Sequence, residues 1–145
     1  MARFGVEAIR YFSHARAAHV DTAGDLTYTF NRSNGLDNKL RGAGHTRAFY
    51  WANTDVWETD IRDTDQGGDD RHWADDVDLF WIETHGNHDD GGHAVLLYDT
   101  PATEWYANSS RWQLGEDWNN EWVMAYSCDT AALPTVTGLW NIFAR

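Results

Sequence analysis

Cysteine, proline and cationic side chains are all scarce in this chain. Cys128 is the only cysteine among 145 residues, which excludes a disulfide within the chain and a zinc cluster made of several cysteines. Pro101 and Pro134 are the only prolines. Because no Gly- or Ser-rich linker separates two halves, we expect a single domain over residues 1–145.

Long apolar runs are missing as well. No stretch approaches the ~20 apolar residues of a membrane span, and the N-terminus lacks the apolar core of a signal peptide. We therefore expect no membrane association and a cytoplasmic location, with a processed, secreted form as the alternative.

Positive charge is outweighed by negative charge, with 11 Lys and Arg against 23 Asp and Glu and a formal net charge of -12. This balance argues against binding to nucleic acid or to an anionic membrane, because both need clustered cations. Metal cations and basic peptides remain natural partners. The densest acidic stretch, Asp60–Asp78, is predicted to be a solvated loop.

What the sequence does contain is a set of apolar runs typical of buried strands. The last two of the four main runs are nearly continuous and end in small or polar residues, which is the pattern of parallel strands covered on both faces. A helix is predicted over Thr29–Arg41, between the first two runs. Strand, helix and strand in this order predict an α/β fold with a mostly parallel central sheet. The four runs are Phe4–Phe12, Arg47–Trp51, Val77–Thr84 and Glu121–Cys128.

Shorter elements are predicted around these runs. A second helix is expected from Asp69 to Asp75, and a tail helix over Thr137–Phe143. His93–Tyr98 is predicted to be a short strand beside the third run, with Ser110–Leu114 pairing to it.

Two of the buried runs are followed by reactive side chains. His85 comes directly after the third run, and Cys128 closes the fourth, 43 positions later. The carboxyl ends of neighbouring parallel strands meet at one edge of a sheet, where catalytic groups gather. A thiol is only a few per cent ionised at neutral pH, and a nearby imidazole can accept its proton. The sequence thus predicts a catalytic dyad, against the alternative that Cys128 is an ordinary core residue.

Three neighbours of this pair are candidate supporting residues. The backbone N–H of Gly86 is placed to stabilise a developing oxyanion. Glu83 lies two positions before His85, where it either orients the imidazole or points to solvent. Asp129 follows the thiol directly.

The blocks DLFWIETHG and WVMAYSC resemble the His-Gly and Cys blocks of caspases, legumains, gingipains, separase and metacaspases, the caspase-like peptidases of clan CD. The longer text, including GVEAIRYF, NGLDNKLRGAGHTRAFYWANTDVWETD and WNNEWVMAYSCDT, is similar to a bacterial family of caspase-like domains of the DUF6345 type. The resemblance implies a caspase-like three-layer α/β/α sandwich. It also implies a cysteine endopeptidase with a peptide or protein substrate, with Cys128 as nucleophile and His85 as its partner.

The chain departs from this family pattern in its length. Caspase-like sheets continue with two strands after the Cys strand, whereas this chain ends 17 residues after Cys128. We therefore expect a truncated or large-subunit-like fragment that lacks the C-terminal strands. A homodimer or a second chain is expected to complete the sheet, because an open sheet edge needs cover. The alternative function is a non-catalytic interaction domain.

Two clusters of metal-ligand residue types give further hypotheses, although the dyad itself requires no cofactor. The first cluster could hold Zn²⁺ or a similar divalent ion, although its spacing matches no established signature. It consists of His85, His88, Asp89, Asp90 and His93. A metal-dependent hydrolase built on His85, His88 and His93 is the corresponding functional alternative. Asp63, Asp65 and Asp69 resemble part of a Ca²⁺ loop, but Ala74 stands where a bidentate Glu is required.

Overall fold

The computed structural model describes residues 1–12, 24–89, 92–97, 106–112, 114–115 and 120–127. For residues 87–89, 92–94, 96 and 109 the description covers the backbone alone. The predicted tail helix Thr137–Phe143 lies outside the described residues, as do Cys128 and Asp129. Within the described part of the chain, no helix is long and apolar enough to cross a membrane.

A four-stranded parallel sheet forms the centre of the molecule. Its strands are β1 (Arg3–Ala8), β2 (Thr46–Ala52), β3 (Leu79–Glu83) and β7 (Trp122–Tyr126), in the spatial order β2-β1-β3-β7. All three pairings are parallel. The predicted α/β fold with a mostly parallel sheet is therefore confirmed. The first strand is shorter than predicted, because it ends at Ala8 rather than at Phe12.

One face of the sheet is covered by helix α1 (Thr29–Gly42), within one residue of its predicted end. Leu36 and Leu40 of α1 pack against Phe4, Val6 and Trp81 of the sheet. The chain leaves the helix through Gly44, whose φ of 89° lies in the left-handed region that glycine adopts without steric cost. The backbone N–H of His45 then bonds the carbonyl oxygen of Leu40 at 3.0 Å, which satisfies one of the carbonyl groups left open at the helix end.

The opposite face is covered by residues 53–77, a segment with four short 3₁₀ turns. Phe49 lies directly over Gly5, where a Cβ atom would come within 2.1 Å of its ring. The core on this face is formed by apolar residues from both the sheet and the segment, including Phe49, Val56, Ile61, Ala74, Val77, Phe80 and Ile82.

The prediction that Asp60–Asp78 is a solvated loop is wrong for half of its aspartates. Asp60, Asp63, Asp70 and Asp75 are buried, with at most 6% of their surface exposed. The reason is local hydrogen bonding, because Asp side chains accept from the backbone N–H groups of tight turns. The carboxylate of Asp70, for example, accepts from both the backbone N–H and the hydroxyl of Thr64, at 2.9 and 2.8 Å.

A smaller antiparallel sheet follows β3 and joins the same core through Val95, Leu97 and Ala107. It consists of β4 (Gly86–Asp89), β5 (Gly92–Leu96) and β6 (Tyr106–Asn108), in that order. The predicted pairing of Ser110–Leu114 is wrong, because Tyr106–Asn108 pairs with β5 and residues Ser109–Arg111 form a 3₁₀ turn. The helix predicted from Asp69 to Asp75 is only the 3₁₀ turn Asp70–His72.

Candidate functional site

The carboxyl ends of β3 and β7 lie side by side at one edge of the central sheet. Glu83 is the register partner of Tyr126 in this parallel pair. The backbone N–H of Thr84 bonds the carbonyl oxygen of Tyr126 at 3.3 Å, so the two strands stay together to their ends. His85 and Cys128 each follow this last pair by two positions. Cys128 itself lies outside the described residues, as does Asp129.

The imidazole of His85 is half-buried at this edge and is held on two sides. Its Nε2 atom donates to the carbonyl oxygen of Gly24 at 2.7 Å. Its ring meets the ring of Phe12 edge to face, with the centroids 4.5 Å apart. Because a carbonyl oxygen only accepts, Nε2 carries the proton, and the neutral ring then has its basic lone pair on Nδ1. The arrangement therefore selects the tautomer in which Nδ1 is able to take a proton.

Glu83 is completely buried, so the alternative that it points to solvent is wrong. Among the described residues its contacts are with α1: Arg32 Nε donates to Oε1 at 2.6 Å and Ser33 Oγ donates to Oε2 at 3.0 Å. The guanidinium of Arg32 also lies over the ring of Tyr126, 4.3 Å from its centroid. These contacts fix α1 and the ends of β3 and β7 relative to each other, directly beneath the edge that carries His85.

Gly86 begins β4 and is the register partner of Val95 in β5. In the same antiparallel pair His88 is opposite His93, and Asp89 is opposite Gly92. The backbone thus places His88 and His93 directly opposite each other on neighbouring antiparallel strands. Their side chains are not among the described parts of the structure.

The three aspartates of the predicted calcium loop contact different partners. Asp63 accepts from the backbone N–H of Asp65 at 2.8 Å and caps a 3₁₀ turn. The side chain of Asp65 is 76% exposed and lies 3.8 Å from Arg71, while Asp69 contacts the imidazole of His72. In the part of the chain that is described, no three His, Cys, Asp or Glu side chains are grouped to hold a metal ion.

Sequence reasoning missed a cavity of about 250 Å³ at the end of β2. We call it the tryptophan pocket, and its walls are Trp51, Trp57, Trp73, Asp55 and Asp60. The rings of Trp51 and Trp73 stand 5.4 Å apart at 74°, so they form a corner. Trp57 is 41% exposed, and its indole N–H donates to the carbonyl oxygen of Thr54 at 2.7 Å.

The loop that carries Asp55 and Trp57 is tied to the end of β1 by Asn53. The Oδ1 atom of Asn53 accepts from the backbone N–H groups of Arg10 and Tyr11, at 2.9 and 3.1 Å. Asn53 adopts a φ of 52°, a left-handed conformation that Asn tolerates better than most residues. Two hydrogen bonds thus hold a strained turn, and the turn sets the position of the pocket wall.

Two carboxyl groups beside the tryptophan pocket have raised pKa values. Burial, with the charges of Asp69 and Glu58 adding to it, raises the pKa of Asp60 to about 6 despite a hydrogen bond from the backbone of Trp57. Burial, together with the charge of Asp60, raises the pKa of Glu7 well above its usual value. Glu7 is 0% exposed and neither of its carboxylate oxygens has a hydrogen-bond partner.

The signal that could have revealed these groups is present in the sequence. Glu7 interrupts an otherwise apolar strand, and buried carboxylates with perturbed pKa values are enriched at functional sites. The spacing of Trp51, Trp57 and Trp73 carries no such signal, because only the fold brings Trp73 beside β2.

A second concavity, of about 330 Å³, lies between α1 and β7, the outermost strand of the central sheet among the described residues. Next to it, Trp122, Met124 and Tyr126 are 67%, 46% and 53% exposed on the face of the sheet that α1 occupies. The concavity is lined mainly by apolar side chains, with His45, Asp78 and Glu121 at its border.

Comparison with known proteins places residues 6–145 in the family described as a domain of unknown function, DUF6345. The predicted similarity to this family is confirmed over nearly the whole chain. Neither a curated protein nor a solved structure matches the sequence.

Proposed function

We propose that this chain, which belongs to the DUF6345 family, is a cysteine-dependent hydrolase that cleaves peptide bonds, with Cys128 as nucleophile and His85 as proton acceptor. The observation that supports the proposal is the parallel register of β3 and β7, in which Glu83 is paired with Tyr126. Both proposed catalytic residues follow this pair by the same number of positions.

Chain geometry limits how far the thiol can be from this edge. Neighbouring strands are about 4.8 Å apart, and two peptide units span at most about 7.6 Å between Cα atoms. Cys128 is two units beyond Tyr126, the neighbour of Glu83. The number of residues between Tyr126 and Cys128 is therefore compatible with a thiol close to the edge at which the ring of His85 is held.

The proposed reaction uses the imidazole twice. Nδ1 of His85 accepts the thiol proton, and the thiolate attacks the carbonyl carbon of the substrate to form a tetrahedral oxyanion. The backbone N–H of Gly86 is the proposed donor to that oxyanion. Collapse of the tetrahedral species breaks the C–N bond, the imidazolium gives its proton to the leaving amine, and water then hydrolyses the thioester.

Alkylation of the thiol tests this proposal cleanly, because Cys128 is the only cysteine. We expect iodoacetamide to label the protein faster than a free thiol at pH 7, and His85→Ala to abolish the excess rate. His72→Ala is the matched control, since its imidazole is exposed and paired with Asp69. Equal rates in the wild-type protein and His85→Ala would refute the dyad.

Peptide cleavage is the second test. We expect a mixed peptide library to be cut by the wild-type protein and left intact by Cys128→Ser, which retains a side chain of similar size. Cleavage that persists in Cys128→Ser would assign the activity to other residues.

A second candidate function, a non-catalytic interaction domain, is supported by the exposed face of β7. Trp122, Met124 and Tyr126 present an apolar surface on the outermost strand of the described sheet, where another chain can add cover. The proposed partner is a second copy of the chain or another protein that completes the sheet. Light scattering over a range of concentrations tests the homodimer: Trp122→Glu is expected to shift the mass toward the monomer, and a monomer at all concentrations contradicts it.

The register of His88 with His93 supports a third candidate, a metal-dependent hydrolase that uses His85, His88 and His93. Stoichiometric Zn²⁺ in the purified protein would support it, and its absence after growth with added zinc would count against it.

A further inference from the structure

We infer that the tryptophan pocket binds a methylated ammonium cation, either a free quaternary amine or the head of a methylated lysine side chain. The inference does not depend on the proposed thiol chemistry. It follows from the shape of the aromatic walls and from the two acidic groups buried beside them.

The walls have the arrangement that a compact organic cation requires. Trp51 and Trp73 meet at 74° with their centroids 5.4 Å apart. Phe49 packs against both rings, with its centroid 6.3 Å from that of Trp51 and 5.8 Å from that of Trp73. Trp57 supplies the third wall, and the space between them is about 250 Å³. Aromatic rings attract a cation through their negative faces, and tryptophan does so most strongly.

Two acidic groups lie beside the pocket, and neither has a cationic partner among the described residues. Asp60 lines the pocket and is 5% exposed. Glu7 is fully buried, its register partner in β2 is Trp51, and it is close enough to Asp60 for the two charges to interact. Among the described residues, no Lys, Arg or His forms an ion pair with either carboxylate. The cationic neighbour Arg62 pairs instead with Glu58, at 3.4 Å.

Burial without a counter-charge favours the protonated form of both acidic groups, which is why their pKa values are raised. A bound cation would supply the counter-charge and so stabilise their ionised forms. The exposed Asp55 at the pocket wall adds long-range attraction for a cation that approaches from solvent.

The chemistry of the walls favours methylated ammonium over other cations and over sugars. Asp55 and Asp60 supply the carboxylate oxygens of the pocket wall, and one oxygen of Asp60 already accepts from the backbone N–H of Trp57, whereas Ca²⁺ and Mg²⁺ need about six ligand oxygens. A primary ammonium is a compact, strongly hydrated point charge, and contact with three indole rings would leave some of its N–H donors unpaired. Steeply inclined rings do not form the flat platform on which a sugar ring stacks. A methylated ammonium needs no hydrogen bonds and makes contact with several ring faces at once.

Titration of the full chain with tetramethylammonium, choline and a trimethyllysine peptide tests the inference. Calorimetry and tryptophan fluorescence report binding, and 3,3-dimethylbutanol serves as the neutral analogue of choline. We expect saturable binding of the cations and none of the neutral analogue. Trp57→Ala and Asp60→Asn are each expected to weaken binding about tenfold or more. Trp122→Ala is the matched control, because it removes an exposed tryptophan outside the pocket.

The two sources of the cation are separated by the ligands themselves. Binding of choline without the peptide identifies a small-molecule site, and binding of the peptide identifies a site for a modified side chain. If Trp57→Ala does not fold, as judged by circular dichroism, Trp57→Phe keeps a smaller ring and is expected to weaken binding partially. The inference is overturned if no cation binds saturably, if the neutral analogue binds equally well, or if Trp122→Ala weakens binding as much as Trp57→Ala.

Discussion

Replacement of Asp60 by Asn is expected to stabilise the protein at pH 8 and to have a smaller effect at pH 4.5. Asp60 is 5% exposed, and burial raises its pKa from 3.8 to about 6. The folded state therefore holds the proton more tightly than the unfolded state. Stability is greatest below the unfolded pKa, near 3.8, and is lost as the pH rises through about 6.

The size of this loss follows from the pKa shift. Each pKa unit corresponds to about 1.4 kcal/mol, so a rise from 3.8 to about 6 is worth about 3 kcal/mol at pH 8. Because Asp60 borders an open pocket, solvent screening lowers this to about 2 kcal/mol. The amide oxygen of Asn can accept the same hydrogen bond from the backbone N–H of Trp57, which is 3.2 Å long in the wild-type protein. Because Asn is uncharged, the substitution keeps this bond and removes the cost of a buried charge.

Urea unfolding followed by tryptophan fluorescence measures the effect. About a third of the ~2 kcal/mol penalty is already present at pH 4.5, because the unfolded carboxyl is largely ionised there. The stability difference between Asp60→Asn and the wild-type protein should therefore rise by about 1.3 kcal/mol from pH 4.5 to pH 8, a midpoint shift of about 0.5–1 M. Asp65→Asn is the control, because its side chain is 76% exposed, and a change below about 0.5 kcal/mol is expected. A stability difference that does not vary with pH would refute the reasoning.

Substitutions at three further positions test how the fold around the two sites is held. Glu83→Gln should lower the free energy of unfolding by about 1–3 kcal/mol, because it removes the carboxylate that Arg32 contacts; an unchanged urea midpoint would contradict this. Asn53→Ala should cost about 2–3 kcal/mol and Asn53→Gly about 1 kcal/mol less, because glycine relieves the φ of 52°; equal losses would argue against strain. Gly5→Ala should cost about 1–3 kcal/mol by displacing the ring of Phe49, and an unchanged melting temperature would contradict that clash.

The central sheet and α1 could be predicted because their sequence patterns report burial directly. A run such as Leu79–Glu83, apolar on both faces, is stable only where both faces are covered, and this condition also implies parallel neighbours. The same reasoning placed His85 at the end of β3. It could not locate the partner of Glu83, because the contact with Arg32 joins residues 51 positions apart.

The acidic segment shows where sequence reasoning fails. Asp65 and Asp70 look equivalent in the sequence, yet one is exposed and the other is buried. The difference arises because Asp70 accepts hydrogen bonds from Thr64, which tightens a turn against the sheet. An aspartate caps a turn or faces water according to how the turn packs in the folded protein. The amino-acid composition of the segment therefore cannot predict which of its aspartates are buried.

Two buried glutamates at neighbouring positions of the sheet differ in whether their carboxyl groups have partners. Glu83 is the register partner of Ala8, and Glu7 is the partner of Ile82, so the two lie next to each other on opposite faces. Glu83 is neutralised by Arg32 and accepts from Ser33, as a buried charge should be. Glu7 has neither kind of partner, and its nearest electrostatic influence is the like charge of Asp60. An apolar residue of the same volume at position 7 would pack without that penalty, so the carboxylate does not stabilise the empty protein. If a cation occupies the tryptophan pocket, the penalty is offset, and binding of the cation becomes linked to the ionisation of Glu7 and Asp60.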